Sequence, residues 1–195
     1  MYAKKWWAGG IFLVVIMLLN GCATQGTGSS KGAASLETLT PSQSERYQQA
    51  LNKLEEAQPK DAEKLLENLV RERADVAELW LNLALSQYQQ NKWQAAEKAV
   101  NQVLVSFPRV AHAHNLAGLL AVEKGEFKQA EQHYLKALKI NPSYANALYN
   151  MALLQDVYLR NMPSAVDYYN RYLALAEDDE ATKAWADNLS QRLKQ

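Results

Sequence analysis

Small and apolar residues recur along most of the chain at a fixed interval of 34 positions. Ala50, Ala84, Gly118 and Ala152 form one column, and Leu51, Leu85, Leu119 and Leu153 the next. Ala62, Ala96 and Ala130 form a third, and Leu66, Val100 and Tyr134 a fourth. Trp93 with Phe127 and Pro108 with Pro142 keep the same step. Self-similarity at a fixed period marks a repeat architecture, in which each unit buries its apolar face only by stacking on its neighbours. The columns predict two antiparallel helices per unit. Ala and Gly stand where the helices cross closely, aromatic residues wedge between units, and Pro ends the unit because it cannot continue a helix.

The pattern predicts an all-α solenoid of four units, residues 43–76, 77–110, 111–144 and 145–178. The fourth departs from the period. Ala165, Tyr169 and Tyr172 match Ala130, Tyr134 and Ala137 at 35 rather than 34. The extra residue is expected in or near Tyr158-Leu-Arg-Asn-Met-Pro163, as a longer first helix or a wider turn at Asn161-Met162-Pro163. In the tail, Ala181, Trp185, Leu189 and Leu193 recur every four residues. They predict a helix over residues 179–195 that caps the exposed end of the solenoid, with Tyr168, Tyr169 and Tyr172 set against Trp185.

The amino terminus has a different pattern. Lys4 and Lys5 precede an uncharged run, Ala8 to Leu19. A transmembrane helix needs about 20 residues, so this run has the length of a signal-peptide core instead. It ends at Leu19-Asn20-Gly21-Cys22, which resembles the lipobox of bacterial lipoproteins and holds the only cysteine of the chain. The resemblance implies cleavage after residue 21, a thioether-linked diacylglycerol and an N-acyl chain on Cys22, and anchorage in a bilayer. Each buried methylene contributes about 0.8 kcal/mol, so two or more chains hold stably. Ala23, where some lipoproteins carry Asp for inner-membrane retention, implies the outer membrane, with the protein on its periplasmic face. Residues 22–40 are read as lipidated Cys and flexible tether, the Gly/Ser/Thr-rich part being Ala23 to Ser35, with a reach of roughly 20 Å.

Composition narrows the chemistry. Lys plus Arg and Asp plus Glu are both 21, so the net charge is zero, which speaks against a nucleic-acid surface. One Cys and three His leave little for a metal centre. His112 and His114 are two apart and share no helix face, and no catalytic or phosphate-binding motif is present. The expectation is a non-enzyme without metal or cofactor other than the acyl groups on Cys22, and without small-molecule substrate. The partners are a protein or peptide segment and the lipid bilayer.

The segment AHNLAGLLAVEKGEFKQAEQHYLKALKINP and the 34-residue step resemble the tetratricopeptide repeat (TPR). That family implies a right-handed superhelix whose first helices line a concave binding face. Projected on it, the candidate groove is Tyr47, Leu51 and Leu54 in the first unit, and Leu81, Asn82, Leu85 and Tyr88 in the second. His112, Asn115, Leu119 and Val122 continue it in the third, and Asn146, Tyr149, Asn150, Leu153 and Asp156 in the fourth. Tyr88, Asn115 and Tyr149 are the expected anchors; packing of the two Tyr rings between helices is the alternative. Lys and Arg are missing from these positions, so the groove does not resemble TPR domains that clamp a chaperone's carboxylate tail.

Lipobox, tether and repeats together are similar to TPR lipoproteins of Gram-negative bacteria. The resemblance implies an adaptor that assists assembly of an envelope machine such as a type IV pilus or secretion system. The alternatives are an adaptor for peptidoglycan enzymes or proteases, or a partner of an energy-coupling complex.

Overall fold

The computed structural model describes residues 35–194 and is helical throughout that span. The expected signal segment, Cys22 and the tether up to residue 34 lie outside the described residues. A 3₁₀ turn, Leu36–Thr38, leads into nine helices: α1 Pro41–Glu55, α2 Pro59–Glu72, α3 Ala77–Gln89, α4 Trp93–Ser106, α5 Ala111–Glu123, α6 Phe127–Ile140, α7 Ala145–Leu153, α8 Met162–Leu173 and α9 Glu180–Arg192. They pair as α1/α2, α3/α4, α5/α6 and α7/α8, and each pair stacks on the next. The four pairs span residues 41–173. Among the described residues no helix is long and apolar enough to cross a membrane.

The small-residue columns explain the close stacking. Ala50, Ala84, Gly118 and Ala152 on first helices are buried, as are Ala62, Ala96, Ala130 and Ala165 on second helices. The larger column Leu66, Val100, Tyr134 and Tyr169 fills the space beside them. Phe127 stacks on Tyr158 of the following pair with centroids 4.5 Å apart, the wedge its position predicts. Trp93 instead leans on Tyr88 of its own pair at 5.1 Å.

Folded structure begins inside the stretch read as tether. Leu36 and Leu39 are half-buried against the core of the first two pairs. Arg73 fastens this turn, donating from Nη1 to the Thr38 carbonyl and from Nη2 to Thr38 Oγ1, both at 2.7 Å. Thr40 then starts α1 through a reciprocal capping box with Gln43, which satisfies two backbone donors that the first turn leaves free. Arg46 grips Glu72 with two bonds of 2.7 Å across α1 and α2. That guanidinium, helped by Gln43, holds the Glu72 carboxyl down at about 2.

The turn inside each pair uses a residue in the left-handed region: Ala57, Asn91, Gly125 and Arg160. The first three are 34 apart and the last 35, so the extra residue of the fourth unit precedes Arg160. It is taken up within the first helix. Leu154–Tyr158 is a π turn, and the bond that closes the motif runs from Asn161 N to the Gln155 carbonyl, one residue wider than Glu126 N to the Ala121 carbonyl. Of the two expected readings the longer first helix is the one observed, and the wider turn at Asn161-Met162-Pro163 is not. A single inserted residue in a helix is commonly absorbed as such a bulge. Ala57 and Arg160 carry a Cβ in a conformation that favours Gly. Ala57→Gly and Arg160→Gly should each raise stability by about 0.5–1 kcal/mol in chemical denaturation.

The cap forms, but with a different buried stripe. Thr182, Ala186 and Leu189 face α8 and α7, and Leu189 is 1% exposed. Ala181 is exposed, Trp185 is 50% exposed and Leu193 41%. The buried three stand 35 positions after Ala147, Met151 and Leu154. Thus α9 occupies the place of a fifth first helix. Asp179 caps it by accepting from Thr182 N at 3.0 Å and from the Tyr172 hydroxyl at 3.0 Å.

Candidate functional site

The first helices α1, α3, α5 and α7 touch one another along the inner wall, and side-chain rungs join them at an offset of 35, one unit plus one residue. Asn82 Nδ2 donates to the Tyr47 hydroxyl at 2.7 Å and to the Glu78 carbonyl at 3.0 Å. Asn150 Nδ2 donates to Asn115 Oδ1 at 3.0 Å. The Tyr88 hydroxyl donates to Glu123 Oε1 at 2.9 Å. At the last step Trp185 Nε1 donates to Asp156 Oδ2 at 2.7 Å, so α9 continues the wall.

These rungs correct two of the three expected anchors. Tyr88 is buried, with its ring on Trp93 and its hydroxyl on Glu123; burial and the adjacent Glu123 carboxylate raise its pKa. Asn115 is 2% exposed and Asn150 5%, and each uses the other as partner. Both are interior polar groups, satisfied because an unpaired amide there would be costly. Asn115→Leu or Asn150→Leu alone should cost about 1–3 kcal/mol, and the double replacement much less. Thermal melts of the four-member cycle check this.

Tyr149 keeps part of its surface open while leaning on α8, 5.1 Å from Tyr172 and 6.2 Å from Tyr169. Tyr47, Leu81, Asn82, His112, Val122 and Asn146 are half-buried on their first helices. The His112 ring tilts against Tyr144 at 4.7 Å. What the wall offers is thus a band of half-buried Leu51, Leu81, Leu119, Val122, Tyr149 and Leu153, interrupted by the rungs. Glu78 and Glu123 belong to this wall too. Sequence projection omitted them because a carboxylate near a helix end is common anywhere; the Tyr88 hydroxyl places Glu123, and Glu78 stands one turn before Asn82 on α3.

A second polar group joins α5 to α6 away from this wall. His114 Nε2 lies 3.3 Å from the Pro108 carbonyl, and His114 Nδ1 lies 3.3 Å from His133 Nδ1. Both bonds are satisfied when the imidazoles are neutral, with His114 carrying its proton on Nε2 and His133 donating from Nδ1. Burial, with Lys136 nearby, lowers both pKa values; His114 lowers that of His133 further, and burial lowers His112. As pH falls through about 6.5 the unfolded chain takes up protons first. Stability present above that pH should therefore decline as pH falls below about 6.5. Urea titrations check the slope, which His114→Gln with His133→Gln should flatten. Among the described residues no group of three or more possible ligands could hold a metal ion.

The model of the tetratricopeptide repeat family matches residues 47–109, 81–145 and 115–180, together more than half of the chain. The chain belongs to the tetratricopeptide repeat family. Solved structures agree on the TPR fold. PilF of Pseudomonas aeruginosa superimposes with a TM-score of 0.69 at 18% identity, over 78% of this chain and 69% of that one. A thermophilic TPR protein of Thermus thermophilus gives 0.67 at 18%, over 77% and 82%. The first TPR domain of Spaghetti (RPAP3), bound to the HSP90 peptide SRMEEVD, gives 0.56 at 18%, over 61% and 94%. No relative is found among curated protein sequences. TPR arrays are in general non-enzymatic scaffolds that hold protein segments on their first helices.

Proposed function

We propose that this TPR array is an interaction scaffold held at the periplasmic face of the outer membrane by acyl chains on Cys22. In that position it assists assembly of an envelope machine such as a type IV pilus or secretion system. The observation that carries the scaffold reading is the band of half-buried Leu, Val and Tyr side chains along the first helices of α3, α5 and α7. Such a surface offers contact area without requiring charge burial. The lipobox resemblance supports the anchor, and the fold shared with PilF is compatible with the pilus reading.

Affinity capture of the full chain from envelope fractions, followed by mass spectrometry, tests the assignment. Secretin or pilus-assembly subunits are expected in the eluate. Peptidoglycan synthases or hydrolases in their place would overturn the machine named here. Cys22→Ser should release the protein from membranes, and unchanged membrane partitioning of that variant would remove the anchor.

A further inference from the structure

In the second to fourth units the helical basic residues are confined to one helix of each pair; α1 of the first unit, by contrast, carries Arg46 and Lys53. α3, α5 and α7 with its π turn contain no Lys or Arg, whereas their second-helix partners carry Lys98, Lys128, Lys136, Lys139 and Arg171. The first helices carry Glu78, Glu123 and Asp156. Glu123 stands on the inner wall under the Tyr88 hydroxyl and Asp156 under the Trp185 indole, and Glu78 lies one turn before Asn82 on the same face of α3. Some carboxylates elsewhere are paired with cations among the described residues, as in Arg46–Glu72, Lys92–Glu63 and Lys124–Glu97, and others, such as Glu45 and Asp187, are not. Among the described residues none of the three inner-wall carboxylates has an ion-pair partner. A chain with equal numbers of acids and bases thus presents one sign of charge along the wall from α3 to α7, and such a wall selects partners of the opposite sign.

We propose that the inner wall receives a partner segment in which Lys or Arg residues are set among apolar side chains. The inference rests on the scaffold reading above and names the chemistry of its partner. Apolar residues of the segment meet Leu81, Leu119 and Leu153, and its cations meet the three carboxylates. Glu123 and Asp156 lie near the ends of adjacent first helices, roughly 8–10 Å apart by ordinary helix spacing. An extended peptide rises about 3.3 Å per residue, so cations about three residues apart match this pair. The charge preference is opposite to that of a groove for an acidic tail.

The test is panning of a display library of random 12-residue peptides on the immobilised full chain. Retained peptides are synthesised and measured by fluorescence anisotropy at low and high salt. Enrichment of Lys or Arg beside apolar residues, with affinity falling as salt rises, is expected. A triple variant, Glu78→Gln, Glu123→Gln and Asp156→Asn, keeps acceptors for Tyr88 and Trp185 and should lose roughly tenfold or more in affinity. An outer variant with the same change of net charge, Asp61→Asn, Glu67→Gln and Asp167→Asn, should bind as the parent does. Retention of acidic or uncharged peptides overturns the charge assignment and leaves the scaffold standing. Equal losses in both triple variants overturn it as well. A pool with no retained peptide overturns the scaffold reading and this inference together.

Discussion

Gly118→Ala should destabilise the protein in its native background and stabilise it once Tyr134 has been cut to alanine. In an exposed helix interior the change from Gly to Ala gains about 1 kcal/mol. Here the gain is overridden. A β-carbon at Gly118 would stand 2.7 Å from Cδ1 and 2.9 Å from Cζ of Tyr134, a ring buried among Ala121, Ala130, Met151 and Leu154. The ring has no room to retreat, and overpacking of this kind costs about 1–3 kcal/mol. Tyr134→Ala alone should lose about 3–5 kcal/mol as an aromatic deletion that leaves a cavity. In the cavity background the new methyl fills space, and the intrinsic helix preference is recovered. Urea unfolding of the four proteins measures the cycle. A Gly118→Ala effect of the same sign in both backgrounds would mean that something other than this ring requires glycine.

Leu189→Ala should cost about 2–5 kcal/mol, whereas Leu193→Ala should stay within about 0.5 kcal/mol of the parent. Leu189 is enclosed by the cluster of Ala152, Ala165, Tyr169 and Ala186, while Leu193 keeps 41% of its surface exposed. Removal of residues 180–195 goes further, because it bares the end of the α7/α8 pair, and solenoid ends without a cap self-associate. Hydrogen exchange should locate the loss of protection in α8 and α9, and light scattering should show the truncated protein aggregating. An unchanged exchange pattern with a clean monomer would make α9 a loosely attached tail.

The fold was legible because its strongest determinants are small residues. Ala and Gly at close crossings leave an unambiguous column, and the left-handed turn residues at Ala57, Asn91 and Gly125 keep the same step. The cap stripe was misread for a geometric reason. Residues 181, 185, 189 and 193 are each four apart, and four residues overshoot one helical turn by about 40°, so the set drifts around the helix. Thr182, Ala186 and Leu189 alternate steps of four and three and stay on one face. The groove was less legible. Tyr88 and Asn115 lie on the helices that line the wall, yet a polar group there reads alike whether it meets solvent or the adjoining helix. Only the stacking geometry decides, and it turned both inward. The π turn is detectable as one residue added to the period, but its position depends on which backbone bonds widen.

The rungs between first helices also constrain how such a chain can grow. Between the first and second units the rung is polar, Tyr47 with Asn82, and between the third and fourth it is polar again, Asn115 with Asn150. At this register the second and third units carry Leu81 and Leu116, and their polar rung, Tyr88 with Glu123, lies two turns further along the helix. Duplicating one unit, for instance residues 77–110, would set Asn82 of the copy opposite Leu81 and leave an amide facing hydrocarbon, a mismatch of about 1–3 kcal/mol. Duplicating residues 77–144 as a block would set Asn115 opposite the copied Asn82, and every junction at this register would again join like with like. The alternation thus gives the array a parity: it can lengthen by twos at little energetic cost, and it resists gaining or losing a single unit.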